Sequence, residues 1–269
     1  MQNNEIKLRV LRDDNEVNLD MALDMLMTII ANNKEGKKTV FIVPVGPVGQ
    51  YPILATLVNK FQVSLKNVWF FHMDEYLVSQ DKSISSENFL SFHKRMNDEF
   101  YSRVDKNLIM PAEQRLFPTP GKEKEYDELL ERLGGADVCY GGLGINGHIA
   151  FNEAAEENDP ITCEEFAELG TRVLPVSRET IAINGAAYLI GDIKSMPRWC
   201  ITVGMKQILA SKRVYLSLGA YWQPGILKRV LNEKPQPQIP ATLLKNHNDV
   251  TFCLTEKIEK CMNSNYEIF

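Results

Sequence analysis

Two places in the chain put reactive side chains where an apolar run ends. Val68-Trp69-Phe70-Phe71-His72-Met73 leads into the adjacent carboxylates Asp74 and Glu75, followed by Tyr76. Further on, Ala136 to Tyr140, interrupted only by Asp137, leads into Gly141-Gly142-Leu143-Gly144-Ile145-Asn146-Gly147-His148, with Glu153 shortly after. Short apolar runs of this kind read as buried strands. The glycines let the backbone turn tightly and come close to a ligand. An imidazole titrates near neutrality and a carboxylate can take up a proton, so these residue types suit proton-transfer chemistry. In open α/β sheets ligands bind beyond the carboxyl ends of such strands. Taken alone, the glycine stretch reads equally well as a structural turn with a surface histidine.

Positioning these groups falls to alternating strands and helices. Ile6 to Leu11 alternates as a first strand, followed by a helix from about Val17 to Ala31. Leu19, Leu23, Leu26 and Ile30, with Met27 beside them, are spaced as its core-facing stripe. Thr39 to Val43 is a second strand. Pro44-Val45-Gly46-Pro47-Val48-Gly49 then precedes a helix from about Tyr51 to Phe61, an order that commonly places a phosphate at a helix N-terminus. Asn67 to His72 forms the third strand, ending near Asp74. Ser83 to Glu87 supplies capping residues for a helix reaching about Arg103. A loop with Pro111, Pro118 and Pro120 follows, then a helix from Glu123 to Leu133 stopped by Gly134-Gly135. The acidic run Glu156 to Glu168 reads as a solvated loop or lid. Thr171 to Val176 forms a strand, and Ser177 to Thr180 opens a helix. Trp199 to Val203, Val214 to Leu218 and Val250 to Leu254 are later strands. This alternation predicts an α/β fold: a single doubly wound domain over 1–269, its mostly parallel sheet covered by helices on both faces.

Composition narrows the function classes. Of the 269 residues, 44% are hydrophobic and 24% charged, ordinary values for a globular chain. The net charge of -5, without a basic block, makes nucleic acid a poor partner. A small anionic ligand would need only local positive charge. Cys139, Cys163, Cys200, Cys253 and Cys261 are odd in number and lack CxxC spacing, which argues against a disulfide framework and a zinc site. Met1 to Glu5 shows no signal pattern, and no apolar run approaches the roughly 20 residues that cross a bilayer. The expectation is a cytoplasmic protein with no membrane partner; a homo-oligomer is compatible with the sequence.

The two segments together resemble the glucosamine-6-phosphate deaminase/isomerase family. Its signatures stand here as Met73-Asp74-Glu75-Tyr76 and as Gly142 to Glu153. The resemblance extends to Ile201-Thr202-Val203-Gly204-Met205 and to the strand from Val214 into Gly219. It implies a Rossmann-like sugar-phosphate isomerase fold. It also implies conversion of an aldose amino-sugar phosphate to a ketose phosphate with loss of ammonia, through ring opening and removal of the C2 proton. Asp74 aligns with the C2 base, His148 with the ring-opening residue, and Glu153 with the carboxylate that orients the histidine. Asn146 joins this catalytic set where many members carry aspartate. Gly46, Glu75, Gly147 and Arg172 fall at substrate-binding places, Glu75 in a supporting role. The chemistry asks for no cofactor or metal, and the partner it implies is a small-molecule sugar phosphate.

The departures cluster in the anion clamp. The family's first glycine loop commonly reads Thr-Gly-Gly-Thr-Pro; here it is Val45-Gly46-Pro47-Val48-Gly49, without either hydroxyl. Pro47 has no N–H to donate. The family places a lysine three residues after the glycine matching Gly219, where this chain has Trp222. Weak or absent turnover of glucosamine-6-phosphate is therefore expected, with the acid/base set intact. Two other readings compete: an isomerase or lactonase of the same fold acting on another sugar phosphate, and a non-catalytic sugar-phosphate sensor.

Overall fold

The structure, a computed structural model, describes residues 5–263; Met1 to Asn4, where the sequence lacks a signal pattern, lie outside the described residues. The elements in chain order are β1 (Lys7–Leu11), α1 (Asp14–Lys34), β2 (Thr39–Val43), α2 (Gln50–Phe61), β3 (Val68–His72), β4 (Asp74–Ser79) and β5 (Lys82–Ser83). Then come α3 (Phe92–Met96), β6 (Arg115–Leu116), α4 (Glu123–Arg132), β7 (Val138–Gly141), α5 (Cys163–Ala167), β8 (Arg172–Pro175) and α6 (Arg178–Tyr188). The last are β9 (Trp199–Thr202), α7 (Met205–Leu209), β10 (Val214–Leu218), α8 (Gln223–Asn232), β11 (Val250–Thr255) and α9 (Glu256–Asn263).

Seven strands pair in parallel in the order β1-β11-β10-β7-β2-β3-β6. Successive side chains of a strand point to opposite faces, so a sheet covered on both sides needs apolar residues at every position. β2 meets this requirement. Val40 and Ile42 pack into the cluster that holds Tyr126 and Leu130 of α4 and Leu227 of α8. Phe41 and Val43 pack into the opposite one, with Met21, Met25 and Ile29 of α1 and Leu54 of α2. The order of winding reverses between the neighbours β2 and β7: the chain proceeds outward through β3 and β6 on one side and through β10 and β11 on the other. A ligand crevice belongs at the carboxyl ends of strands flanking such a reversal.

A second, antiparallel sheet, β5-β4-β9-β8, stands beside that crevice. Met73 joins the two sheets. Its N–H donates to Val43 O at 2.9 Å, and its carbonyl accepts from Val203 N–H at 2.6 Å. Asp74, the next residue, thus sits at the bend where the chain leaves one sheet and enters the other. Among the described residues no helix is long and apolar enough to cross a membrane.

Three expectations from the sequence are corrected. The core face of α1 is Val17, Met21, Ala22, Met25, Leu26 and Ile29, whereas Leu19, Leu23 and Met27 are exposed. Both stripes have helical spacing; the choice is made by polar ties that hold one flank of α1. Tyr215 and Tyr140 donate hydroxyl hydrogen bonds to Asp20 and Asp24, and Arg213 donates twice to Asp24. Secondly, the helix expected from Ser83 begins at Phe92 and continues as a π-helical turn over Asn97–Tyr101. Its N-terminus is capped by the adjacent Ser91 and from elsewhere in the chain, as described below, while Ser85 and Asn88 hold turns instead. Thirdly, the acidic run contains α5, whose Thr162 and Glu165 form a reciprocal capping box.

Candidate active site

Alternation along β4 separates its two acids. Glu75 turns away from the crevice and accepts hydrogen bonds from the backbone N–H groups of Tyr76, Phe92 and His93 and from the Ser91 hydroxyl. It thereby caps α3, satisfying N–H groups that a helix start leaves unpaired. Glu75, expected at a substrate-binding place, does not line the cavity. Asp74 does line it, is 7% exposed, and has no side-chain hydrogen bond among the described residues. Burial, and secondarily the charge of Glu75, pushes its carboxyl well above the usual carboxylate range.

The loop after β7 presents His148 to the same cavity. Asn146 Nδ2 donates to Glu153 Oε2 at 2.8 Å, and a carboxylate can only accept, so the amide oxygen faces the imidazole. His148 Nδ1 lies 2.8 Å from that oxygen and 3.1 Å from Glu153 Oε2. Two acceptors at Nδ1 place the proton there and leave Nε2 as the pole that can accept. Gly144 makes room for that pole: a Cβ at Gly144 would sit 2.1 Å from His148 Nε2. Glu153 is nearly buried and accepts further from the Thr180 hydroxyl at 3.1 Å and from Ser177 N–H at 3.2 Å. Burial alone would raise its pKa; the neighbouring imidazole and the hydrogen bonds from His148, Asn146 and Thr180 bring it down to about 2.

The cavity has a volume of about 410 Å³. Gly46, Asp74 and His148 line it together, and Asn146 and Glu153 stand directly behind the imidazole. Gly147 and Arg172, expected to meet substrate, do not line it. Gly147 has φ +84° and makes the turn itself: its N–H bonds to Gly144 O, and a Cβ there would press on Ile239 at 2.6 Å. Arg172 Nη1 donates to Asn152 Oδ1 at 2.7 Å and to Gly170 O at 3.3 Å. Asn152 in turn bonds the carbonyls of Ile149 and Val203, so the guanidinium braces the histidine loop against the end of β9.

Of the other lining residues Tyr76 belongs to the first motif, whereas Asn184, Asp14 and Asn18 carry no mark in the sequence. Tyr76 and Asn184, hydrogen-bonded to each other at 2.9 Å, belong to β4 and α6. Asp14 and Asn18 come from the first turns of α1. Thr180 had a signal, since Ser177-Arg178-Glu179-Thr180 is a helix start, but nothing there pointed to Glu153. His72, His93 and His247 lie outside the cavity; the first bonds the Tyr101 hydroxyl, the second stacks on Phe117, and the third bonds Ser211 O. Among the described residues no group of three or more His, Cys, Asp or Glu is arranged to hold a metal ion.

Comparison with known proteins adds the lineage. No family model matches the chain. Curated proteins named glucosamine-6-phosphate deaminase do match. That of Bacillus velezensis is 30% identical over 213 residues, covering 78% of this chain and 82% of that protein. That of a Thermoanaerobacter species is 28% identical over 232 residues, covering 83% and 84%. Among solved structures, a monomeric glucosamine-6-phosphate deaminase superposes with a TM-score of 0.81 at 24% identity, over 95% of this chain and 100% of that one. A 6-phosphogluconolactonase from Trypanosoma cruzi gives 0.69 at 15% identity, over 98% and 99%. The two structures share the fold. The sequence relationship reaches further, through most of both chains, and by it this chain belongs to the glucosamine-6-phosphate deaminase family.

Proposed function

We propose that this chain is an amino-sugar-phosphate deaminase/isomerase of the glucosamine-6-phosphate deaminase type, converting an aldose amino-sugar phosphate to a ketose phosphate and ammonia. The observation that carries this reading is that an unengaged carboxylate, Asp74, and an imidazole with its Nε2 left to accept, His148, line one cavity.

In this reading Nε2 of His148 takes the proton of the anomeric hydroxyl and the ring oxygen is protonated, which opens the pyranose. Glu153 and Asn146 stabilise the imidazolium so formed, in the manner of a third group orienting a catalytic base. Asp74 removes the proton from C2, and its raised pKa makes its ionised form a stronger base than an ordinary aspartate. The proton is then available for return to C1. Water replaces nitrogen at C2, and ammonia leaves. Glu75 and Arg172 act as supports of α3 and of the histidine loop. A cytoplasmic location and a one-domain organisation over 1–269 belong to the same reading, supported by the ordinary globular composition of the chain and by the shared joint at Met73.

Glucosamine-6-phosphate itself is expected to be a weak substrate, because no lysine or arginine lines the cavity. Hydrogen bonds from cations contribute about 1.5–3 kcal/mol each, so the lack of two costs roughly a hundredfold or more in affinity. The test is ammonia release over a panel of amino-sugar phosphates. At least one should give ammonia and ketose phosphate in equal amounts. Hydrolysis of a lactone with no ammonia from any amino sugar would contradict the reading.

A further inference from the structure

One wall of the cavity is built from three separate pieces that fit closely. The first turns of α1 bring Asp14 and Asn18 against the loops that follow β10 and β2. A Cβ at Gly219 would lie 2.2 Å from Asp14 Oδ1, and a Cβ at Gly49 would lie 2.4 Å from Asn18 Nδ2. Neither side chain has a hydrogen-bond or ion-pair partner among the described residues, although the Asp14 carboxylate is aimed at the cavity lining. Ser217 and Trp222 line the cavity as well.

The charge on this lining has one sign. Its acids are Asp14 and Asp74, its single basic side chain is His148, and it contains no lysine or arginine. Arg172 is committed to Asn152 and Gly170. Pro47 has no N–H, and the Gln50 amide is spent on the Pro47 carbonyl. A carboxylate, an amide, a hydroxyl and an indole are the groups that hold a neutral sugar: hydroxyls donate to the first three, and C–H faces pack on the last. They give a phosphate dianion no cation and set one fixed negative charge against it.

We infer that the site accepts the unphosphorylated amino sugar as a further substrate, with no large preference for the 6-phosphate. This rests on the deaminase reading above and concerns only what the Asp14 wall selects. The reaction balances without a co-reactant other than water. The C2 proton passes to Asp74, a proton is delivered to C1, water adds at C2, the C2–N bond breaks, and the products are a free ketose and ammonia.

Two measurements separate this inference from the reading beneath it. Calorimetric binding of glucosamine and of glucosamine-6-phosphate to the non-reacting Asp74→Asn protein gives the selectivity of the wall. Their dissociation constants should agree within about tenfold, and Asp14→Lys should shift the ratio toward the phosphate by about tenfold or more, with Asp14→Asn between. Asp14 is exposed at the start of a long helix, so both variants should fold. Binding of the phosphate a hundredfold tighter, a ratio unmoved by Asp14→Lys, or binding of neither sugar would overturn the inference. Ammonia release by the unaltered enzyme is the second measurement. Release from the phosphate alone overturns the inference and leaves the proposed function standing. Release from neither sugar contradicts the proposed function, and the substrate inference falls with it; the binding ratio then reads only the selectivity of the wall.

Discussion

Asp74 and Glu153 are both buried, yet their surroundings drive them apart. Asp74 has no donors and its pKa is raised well above the ordinary range by burial; Glu153 is surrounded by donors and held at about 2. Such a split assigns roles: the first can exchange a proton, the second keeps its charge. In its proposed role as a base Asp74 must be ionised, so the acid limb of kcat/KM should lie above the ordinary aspartate value of about 3.9. Activity should fall as pH drops through that raised pKa, and a pH–rate profile reads it directly. The sign for stability is opposite. A carboxyl with a raised folded pKa favours folding below its unfolded pKa, and that contribution is lost as pH rises through the folded one. Above that raised pKa the ionised Asp74 is a cost, so there Asp74→Asn should melt at a higher temperature than the native protein. Glu153 behaves the other way, contributing above its unfolded pKa and losing that contribution as pH falls toward 2. At this scale much was legible in the sequence. Asp74, Asn146, His148 and Glu153 stand in contiguous motifs, so their neighbourhood is largely written along the chain. Thr180 and Asp14 were not legible, because what places them is the packing of distant helices against two loops.

The loop after β7 works because its glycines occupy different tight places. Gly147 supplies a positive φ, and Gly144 leaves the space that His148 Nε2 fills. Gly144→Ala imposes no backbone strain from a positive φ, but its Cβ must push the imidazole aside. The expected outcome is a fold judged native by circular dichroism, with kcat lowered by at least about tenfold through displacement of the base. The strands beneath are a matter of packing. Phe41, wholly buried in β2 and in edge contact with Tyr140, should cost about 3–5 kcal/mol on replacement by alanine, measured by denaturant unfolding. β2 and β10 are apolar at nearly every position, and the sequence alone located both to the residue. Amphipathic and capped segments were less legible. α1 carries two stripes of helical spacing, and hydrogen bonds from Tyr140, Tyr215 and Arg213 decide between them. The start of α3 is set by its own N-cap, Ser91, together with Glu75, a residue far from it in sequence.

Across the whole molecule the proposed catalytic groups depend on both sheets. Asp74 opens the small antiparallel sheet, His148 follows a strand of the large parallel one, and Met73 bonds to both. Separation of the sheets would take the base away from the imidazole. Thermal unfolding followed by far- and near-ultraviolet dichroism should therefore give one coincident transition; two separated transitions would contradict a single cooperative unit. The overall negative charge and the absence of lysine and arginine from the cavity lining leave capture of the proposed substrate to hydrogen bonding and shape. The proposed chemistry then rests on Asp74. Its role is tested most directly by steady-state ammonia release from the best amino-sugar substrate, with the native enzyme and Asp74→Asn side by side. The predicted result is a fall in kcat of about 10²–10⁴, with KM little changed. A variant that releases ammonia at the native rate would contradict the assignment of Asp74 as the base that takes the C2 proton.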